Sequence, residues 1–263
     1  MPPEPTTLLV VGDVHGDAAW MKVVCAKARA LGCDAILQLG DFGFWPHEAW
    51  GRAYVDRVVE LLARHELDCL FIDGNHDNLD VLLADGLPAA GPFRWVAPRL
   101  YYMPRGARWS WRGVSFLAMG GAYSFDKEWR LANEPAPRTW WWPQEQISDD
   151  DIRRAIEGSR PVDVLVAHDC PAGFKLGEYE PREETKRNRA ALGRIVDHVR
   201  PRLLLHAHWH RRTSGWYENE ELGFRTWVEG LDMEKTNEDN WLRLGLDELR
   251  RRLDRAVSSP ASG

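Results

Sequence analysis

The stretch LLLHAHWHRR, residues 203–212, sets His206, His208 and His210 on alternate positions directly after an apolar run. In an extended chain alternate side chains share a face, so such spacing aims all three imidazoles the same way. Imidazole suits metal ligation and proton transfer near neutral pH. Four further loops carry donors of compatible chemistry: Asp13 and His15 in GDVHGD, Asp41 in GDFG, Asn75 and His76 in GNHD, and His168 in VAHD. Singly, each has an ordinary structural use, since glycine beside Asp or Asn makes turns and a lone histidine at a strand end is commonly a hydrogen-bonding residue. Jointly they deliver oxygen and imidazole donors at five strand ends, and open α/β sheets bind their ligands at the carboxyl ends of strands.

The elements that must position these loops follow a repeated grammar. LLVV leads through GDVHGD to the helix-like AAWMKVVCAKARA; AILQL leads through GDFGFWPH to EAWGRAYVDRVVELLARHE; CLFI leads through DGNHDN to LDVLLA. Three β-loop-α units in succession predict a mostly parallel sheet. After Pro98 the stretches LYYMP, RWSWRG and VSFLAMGG are strand-like with no helix between them, so a second, more antiparallel sheet is expected, with Gly113 in a hairpin turn. Ser148 opens a helix in SDDDIRRAIEG, VDVLVAHD is another buried strand, and REETKRNRAALGRIVDHV is amphipathic. FRTWVEG and NWLRLGL are expected to close the sheets, and DELRRRLDRAV is a terminal helix. The expected organisation is one domain over residues 1–256 with a disordered tail at 257–263.

In this order the motifs Asp-x-His, Gly-Asp, Gly-Asn-His-Asp, a lone His and a final His-x-His resemble the calcineurin-like metallophosphoesterases over residues 8–210, and GGAYSFDKEWR with the later WWWPQE resembles a segment of the bacterial and phage branch of that family. The resemblance implies an α/β fold in which two packed mixed β-sheets, a β-sandwich, are flanked by helices. It implies two divalent metal ions, manganese in first place with iron, zinc or magnesium as the other candidates. One ion would be held by Asp13, His15, Asp41 and the last histidine of the triplet. The other would take Asp41, Asn75, His168 and the preceding histidine. A carboxylate at Asp41 suits bridging, because its two oxygens can serve ions about 3.5–4 Å apart. The family's Gly-His-x-His fits LHAHWH in two registers, with either Leu205 or Ala207 in the glycine place. That place demands a small residue, which favours His208 and His210 as ligands and leaves His206 a supporting strand residue.

The implied activity is two-metal hydrolysis of phosphate esters by a metal-bridging hydroxide, as a phosphodiesterase or nucleotide phosphohydrolase. His76 would be catalytic at the leaving oxygen, with Asp77 orienting it or a ligand. A phosphomonoesterase or protein phosphatase is the alternative, although the second motif reads GDFGFWP and lacks the Asp-Arg-Gly that protein phosphatases of this superfamily carry. A non-catalytic scaffold on the same fold is the remaining reading, disfavoured because the motif residues are all retained. GGAYSFDKEWR, residues 120–130, offers Lys127 and Arg130 as phosphate-gripping cations, and Trp141 and Trp142 of the Trp140–Trp142 run as a platform for a base. The expected partner is a small phosphorylated substrate such as a nucleotide. A net charge of -6 with no basic block argues against duplex DNA. No apolar run reaches membrane-helix length, and the opening MPPEPTTLLV lacks signal-peptide features, so a soluble cytoplasmic protein is expected. Cys25, Cys33, Cys69 and Cys170 form no C-x-x-C pair and read as reduced packing residues.

Overall fold

The computed structural model describes residues 2–134, 140–158, 160–178 and 182–258. Two sheets lie face to face. The first has seven strands in the order β13 (Trp241–Gly245), β1 (Thr7–Val11), β2 (Ala35–Gln38), β3 (Asp68–Phe71), β6 (Leu100–Tyr102), β5 (Phe93–Ala97) and β4 (Ala89–Ala90). The second has six, in the order β11 (Thr213–Asn219), β12 (Phe224–Gly230), β10 (Leu203–His206), β9 (Val164–Ala167), β8 (Val114–Met119) and β7 (Arg108–Trp111). In the first, β1, β2, β3 and β6 are parallel; in the second, β8, β9, β10 and β12 are. Antiparallel strands flank both parallel centres.

Strand alternation sorts the side chains into layers. On β1, Leu8 and Val10 point between the sheets, where they join Leu37, Leu39, Phe116, Val164, Val166 and Leu205. Leu9 and Val11 face the other way, onto α1 (Ala18–Ala30) and α2 (Ala49–His65) through Met21, Val24, Val58 and Leu62. The outer face of the second sheet packs Leu117, Leu165 and Leu204 on α5 (Asp149–Ile156) and α6 (Lys186–Val199). Parallel strands covered on both faces are apolar throughout, which is why LLVV and LLLH read as unbroken apolar runs. All four cysteines are buried and free, and no helix among the described residues is long and apolar enough to cross a membrane.

The second sheet differs from its expectation of more antiparallel pairing. β8, β9 and β10 are joined by helical crossovers through α5 and α6, and helical crossovers return strands parallel. LYYMP belongs to the first sheet, beside β3, and NWLRLGL pairs antiparallel with β1. LDVLLA contributes only the four-residue α3 (Leu79–Leu82). The terminal helix α7 runs Leu246–Ser258, past the expected boundary at residue 256; the rest of the expected tail lies outside the described residues.

Candidate metal centre

Two parallel centres facing each other bring six strand ends to one edge. The loops after β1, β2 and β3 come from one sheet, and those after β8, β9 and β10 from the other. His15, Asp41, His208 and His210 all adopt left-handed backbone, with φ of 48°, 54°, 68° and 48°. For residues with a side chain this is strained by about 1–3 kcal/mol each, a cost that collects at functional sites. Space is cleared locally by glycine. A Cβ on Gly74 would overlap the Asp41 carboxylate, and one on Gly40 would overlap the His168 ring.

The loops place seven candidate ligands side by side. His210 Nε2 lies 3.0 Å from Asp13 Oδ2. Asp41 Oδ2 stands 3.4 Å from His15 Nε2 and 3.5 Å from His168 Nε2, and Asn75 Oδ1 is 3.3 Å from His168 Nε2. The His208 ring is 5.1 Å from that of His168. Asp13, His15 and His210 have donor atoms all within 4.8 Å of one another, as do Asp13, Asp41 and His168, and also His15, Asp41 and His76. Asp13 Oδ2 and Asp41 Oδ2 are buried and face only the imidazole nitrogens of His210, His15 and His168, and the Nε2 atoms of His206 and His208 are buried without a hydrogen-bond partner. Buried polar atoms are rarely left so. Mixed oxygen and imidazole donors that converge in this way fit divalent cations.

Each inner residue is held from behind. His168 Nδ1 donates to the Leu39 carbonyl at 2.6 Å, and His15 Nδ1 to Glu234 at 2.8 Å, both of which leave Nε2 facing inward. Asn75 Nδ2 donates to Ser124 Oγ (3.0 Å), which in turn donates to Glu145 (2.6 Å), so the amide oxygen is the atom presented to the centre. Asp169 accepts from the indole N–H of Trp209, between His208 and His210, and from Asn188 of α6. Glu234, Ser124, Glu145 and Asp169 are absent from the site read from sequence. Ser124 lies inside GGAYSFDKEWR, a stretch the sequence does single out, and Asp169 stands beside a candidate ligand; nothing in the sequence marks Glu234.

The carboxylates set the charge of the imidazoles. Burial alone would lower the His15 and His168 pKa values, but Asp41 with Glu234 raises His15 to about 11, and Asp41 with Asp13 raises His168 to about 10. Asp41 itself is held well below its ordinary value despite burial, chiefly by the charge of His168 and by its contacts with His15 and His168. His76 moves oppositely, lowered to about 4 by burial and by the Arg130 cation against the pull of Asp41.

The remaining predicted residues divide. Arg130 is buried, with Nη2 2.7 Å from His76 Nε2 and Nη1 donating to the Asn75 carbonyl at 3.2 Å. Lys127 lies over the Trp141 ring at 4.2 Å, a cation–π pair that joins two of the expected substrate residues. Asp77 does not contact His76. It is buried and accepts the backbone N–H groups of Gly43, Phe44 and Gly74, tying two ligand loops together, so of the two orienting roles expected of it the contacts are those of the ligand loops. Trp142 is core, packed on Trp45 and Leu79, so it offers no free face to a base. His206 ends β10 opposite Gly230, with Nδ1 against the Ala207 carbonyl, and like His208 it belongs to none of the three donor groups.

Residues 6–212 match the model of the calcineurin-like phosphoesterases. The chain belongs to that family. Among curated proteins, this calcineurin-like phosphoesterase is 28% identical over 157 residues to the lariat debranching enzyme of Schizosaccharomyces pombe, an alignment covering 54% of this chain and 33% of that protein. It is 23% identical over 244 residues to the Homo sapiens lariat debranching enzyme, covering 80% and 43%. The chain thus spans under half the length of these relatives. Of solved structures, TT1561 of Thermus thermophilus shares the fold over 94% of this chain and 96% of its own, with a TM-score of 0.54 at 18% identity.

Proposed function

We propose that this calcineurin-like phosphoesterase hydrolyses phosphodiesters with two divalent cations, one held by Asp13, His15, Asp41 and His210 and the other by Asp41, Asn75, His168 and His208. The observation that carries the reading is the convergence of buried donor atoms, with the Asp13 and Asp41 oxygens facing only imidazole nitrogens and His208 Nε2 without a hydrogen-bond partner, at the meeting of six strand ends. When bound, such cations neutralise phosphate charge and make water acidic enough to act as a nucleophile near neutral pH. Manganese suits the mixed donor set.

The chain's own residues do the rest. His76, neutral at pH 7 with its pKa lowered to about 4, presents a ring N–H to the leaving oxygen. Arg130, against that ring, supplies the fixed positive charge as the oxygen becomes anionic. Asp77, Glu234 and the Ser124–Glu145 pair hold the ligand loops in register, so little reorganisation is left for the reaction. Diesters are favoured over protein phosphomonoesters because GDFGFWP lacks Asp-Arg-Gly, and because debranching is the activity in the relatives' name. Buried, reduced cysteines agree with a cytoplasmic setting.

Hydrolysis of bis(p-nitrophenyl) phosphate and p-nitrophenyl phosphate with added manganese tests this directly. Turnover that needs the metal and is faster on the diester supports the reading; preference for the monoester, or metal-independent turnover, refutes it.

A further inference from the structure

A cavity of about 120 Å³ adjoins the candidate centre, lined by His15, Gly43, Trp45, Trp50 and His76. From this we infer a ring-binding slot that takes the nucleobase of a nucleotide whose phosphate sits at the metal centre; the inference rests on the phosphoesterase reading above. Size is the first argument. Pockets that hold whole ligands span about 300–1,000 Å³, whereas this one has room for about four waters, each taking about 30 Å³. It accommodates one flat ring system and excludes the sugar.

Lining chemistry is the second argument. The half-buried Trp50 indole and the His15 and His76 imidazoles line the slot over a floor made by the buried Trp45 and the Gly43 backbone, an aromatic lining that suits a flat ring. Its position supplies the third. His15 and His76 belong both to the slot and to a donor group of the centre, with ring centroids 5.4 Å apart, so a group filling the slot lies beside a phosphate at the cations.

The slot is also built to hold its shape. Trp45 is buried, its indole N–H donates to the His76 carbonyl at 2.9 Å, and Trp140 and Trp142 pack on it at 5.4 and 5.2 Å. The tryptophan run thus acts through Trp45, as a buttress. Trp50 starts α2, half-buried, 5.6 Å from Trp45, and is the wall that can be altered at least cost to the fold.

The test uses Trp50→Leu, with Trp50→Phe as the variant that keeps a ring. Adenosine, which has no phosphate, is titrated without added metal into the three proteins while the indole N–H resonances are followed by NMR. Saturable shifts of the Trp45 and Trp50 signals in the wild type, with the Trp45 response retained by Trp50→Phe and weakened about tenfold in Trp50→Leu, support the slot. Absence of a saturable adenosine response, or equal responses in wild type and Trp50→Leu, overturns it. In a second arm, with manganese, AMP binds the wild type about tenfold tighter than ribose 5-phosphate, and Trp50→Leu closes that gap. An unchanged gap again overturns the slot. Loss of manganese dependence for both phosphates counts against the metal centre alone, because the adenosine arm reads the slot separately.

Discussion

Among the histidines of LHAHWH, backbone sets the division of labour. His206 still belongs to β10, in register with Gly230, whereas His208 and His210 lie beyond the strand in left-handed conformations that turn them toward Asp13 and His168. Ala207, fully buried, donates its N–H to the His168 carbonyl. His210→Ala should therefore lose one metal and nearly all activity. His206→Ala should keep both metals and lose about 10–100-fold or less. Metal analysis of the two purified variants decides it, and loss of a metal from His206→Ala with retention in His210→Ala would reverse the register. The candidate donors were legible in the sequence because coordination chemistry admits few residue types and because Asp13, His15, Asp41 and Asn75 each sat in a short glycine-marked loop, while His168, His208 and His210 directly followed apolar strands. Their supports were not. Glu234 reaches His15 across 219 positions, and an exposed-looking glutamate in DMEKTNED carries no mark of that contact. For Asp77 the sequence leaves open whether it orients His76 or a ligand, because adjacency does not show where a side chain turns; it turns to the backbone amides of Gly43 and Phe44.

The elements that hold these loops are themselves cross-linked by buried charge. Arg105 lies between Asp73, in the loop carrying Asn75, at 2.7 Å, and Asp151, in the first turn of α5, at 3.1 Å, with Tyr102 donating to Asp73. Burial would raise the Asp151 pKa, but Arg105 and the capping contacts of Ser148 hold it below the ordinary value. A depressed folded-state pKa stabilises the protein above the unfolded carboxyl pKa, near 3.9, and that contribution fades as pH falls through the folded value. Asp151→Asn should cost about 2 kcal/mol at pH 7. In urea titrations the deficit should hold down to about pH 5 and shrink below about pH 4; a deficit that grows on acidification would contradict the ion-pair account. Helices were the elements best seen from sequence, α1 falling on the expected residues 18–30 because its apolar period and the Asp17 cap coincide. The pairing of strands was harder. β7 and β8 form the expected hairpin, but β6, three residues long, could be assigned to the first sheet only by its partner β3, and partners are a property of the whole chain.

Across the whole molecule, two sheets of opposite origin in the chain confront each other so that neither alone holds a complete donor set. Asp13, His15, Asp41 and Asn75 come from the first, His168, His208 and His210 from the second. Cations bound between them should clamp the sheets together. At a hundredfold excess over the dissociation constant this is about 2.7 kcal/mol, which for a chain of this size raises Tm by roughly 5–10 °C. Thermal melts with manganese and with chelator check it, and coincident melts would count against a site formed by both sheets. The central claim, a shared two-cation centre bridged by Asp41, is tested most directly by counting metal. Purified wild-type protein loaded with manganese and freed of excess should carry two ions per chain by elemental analysis, and Asp41→Asn, folded by the same melting criterion, should carry at most one and lose activity. Two ions and near-normal turnover in Asp41→Asn would contradict the account.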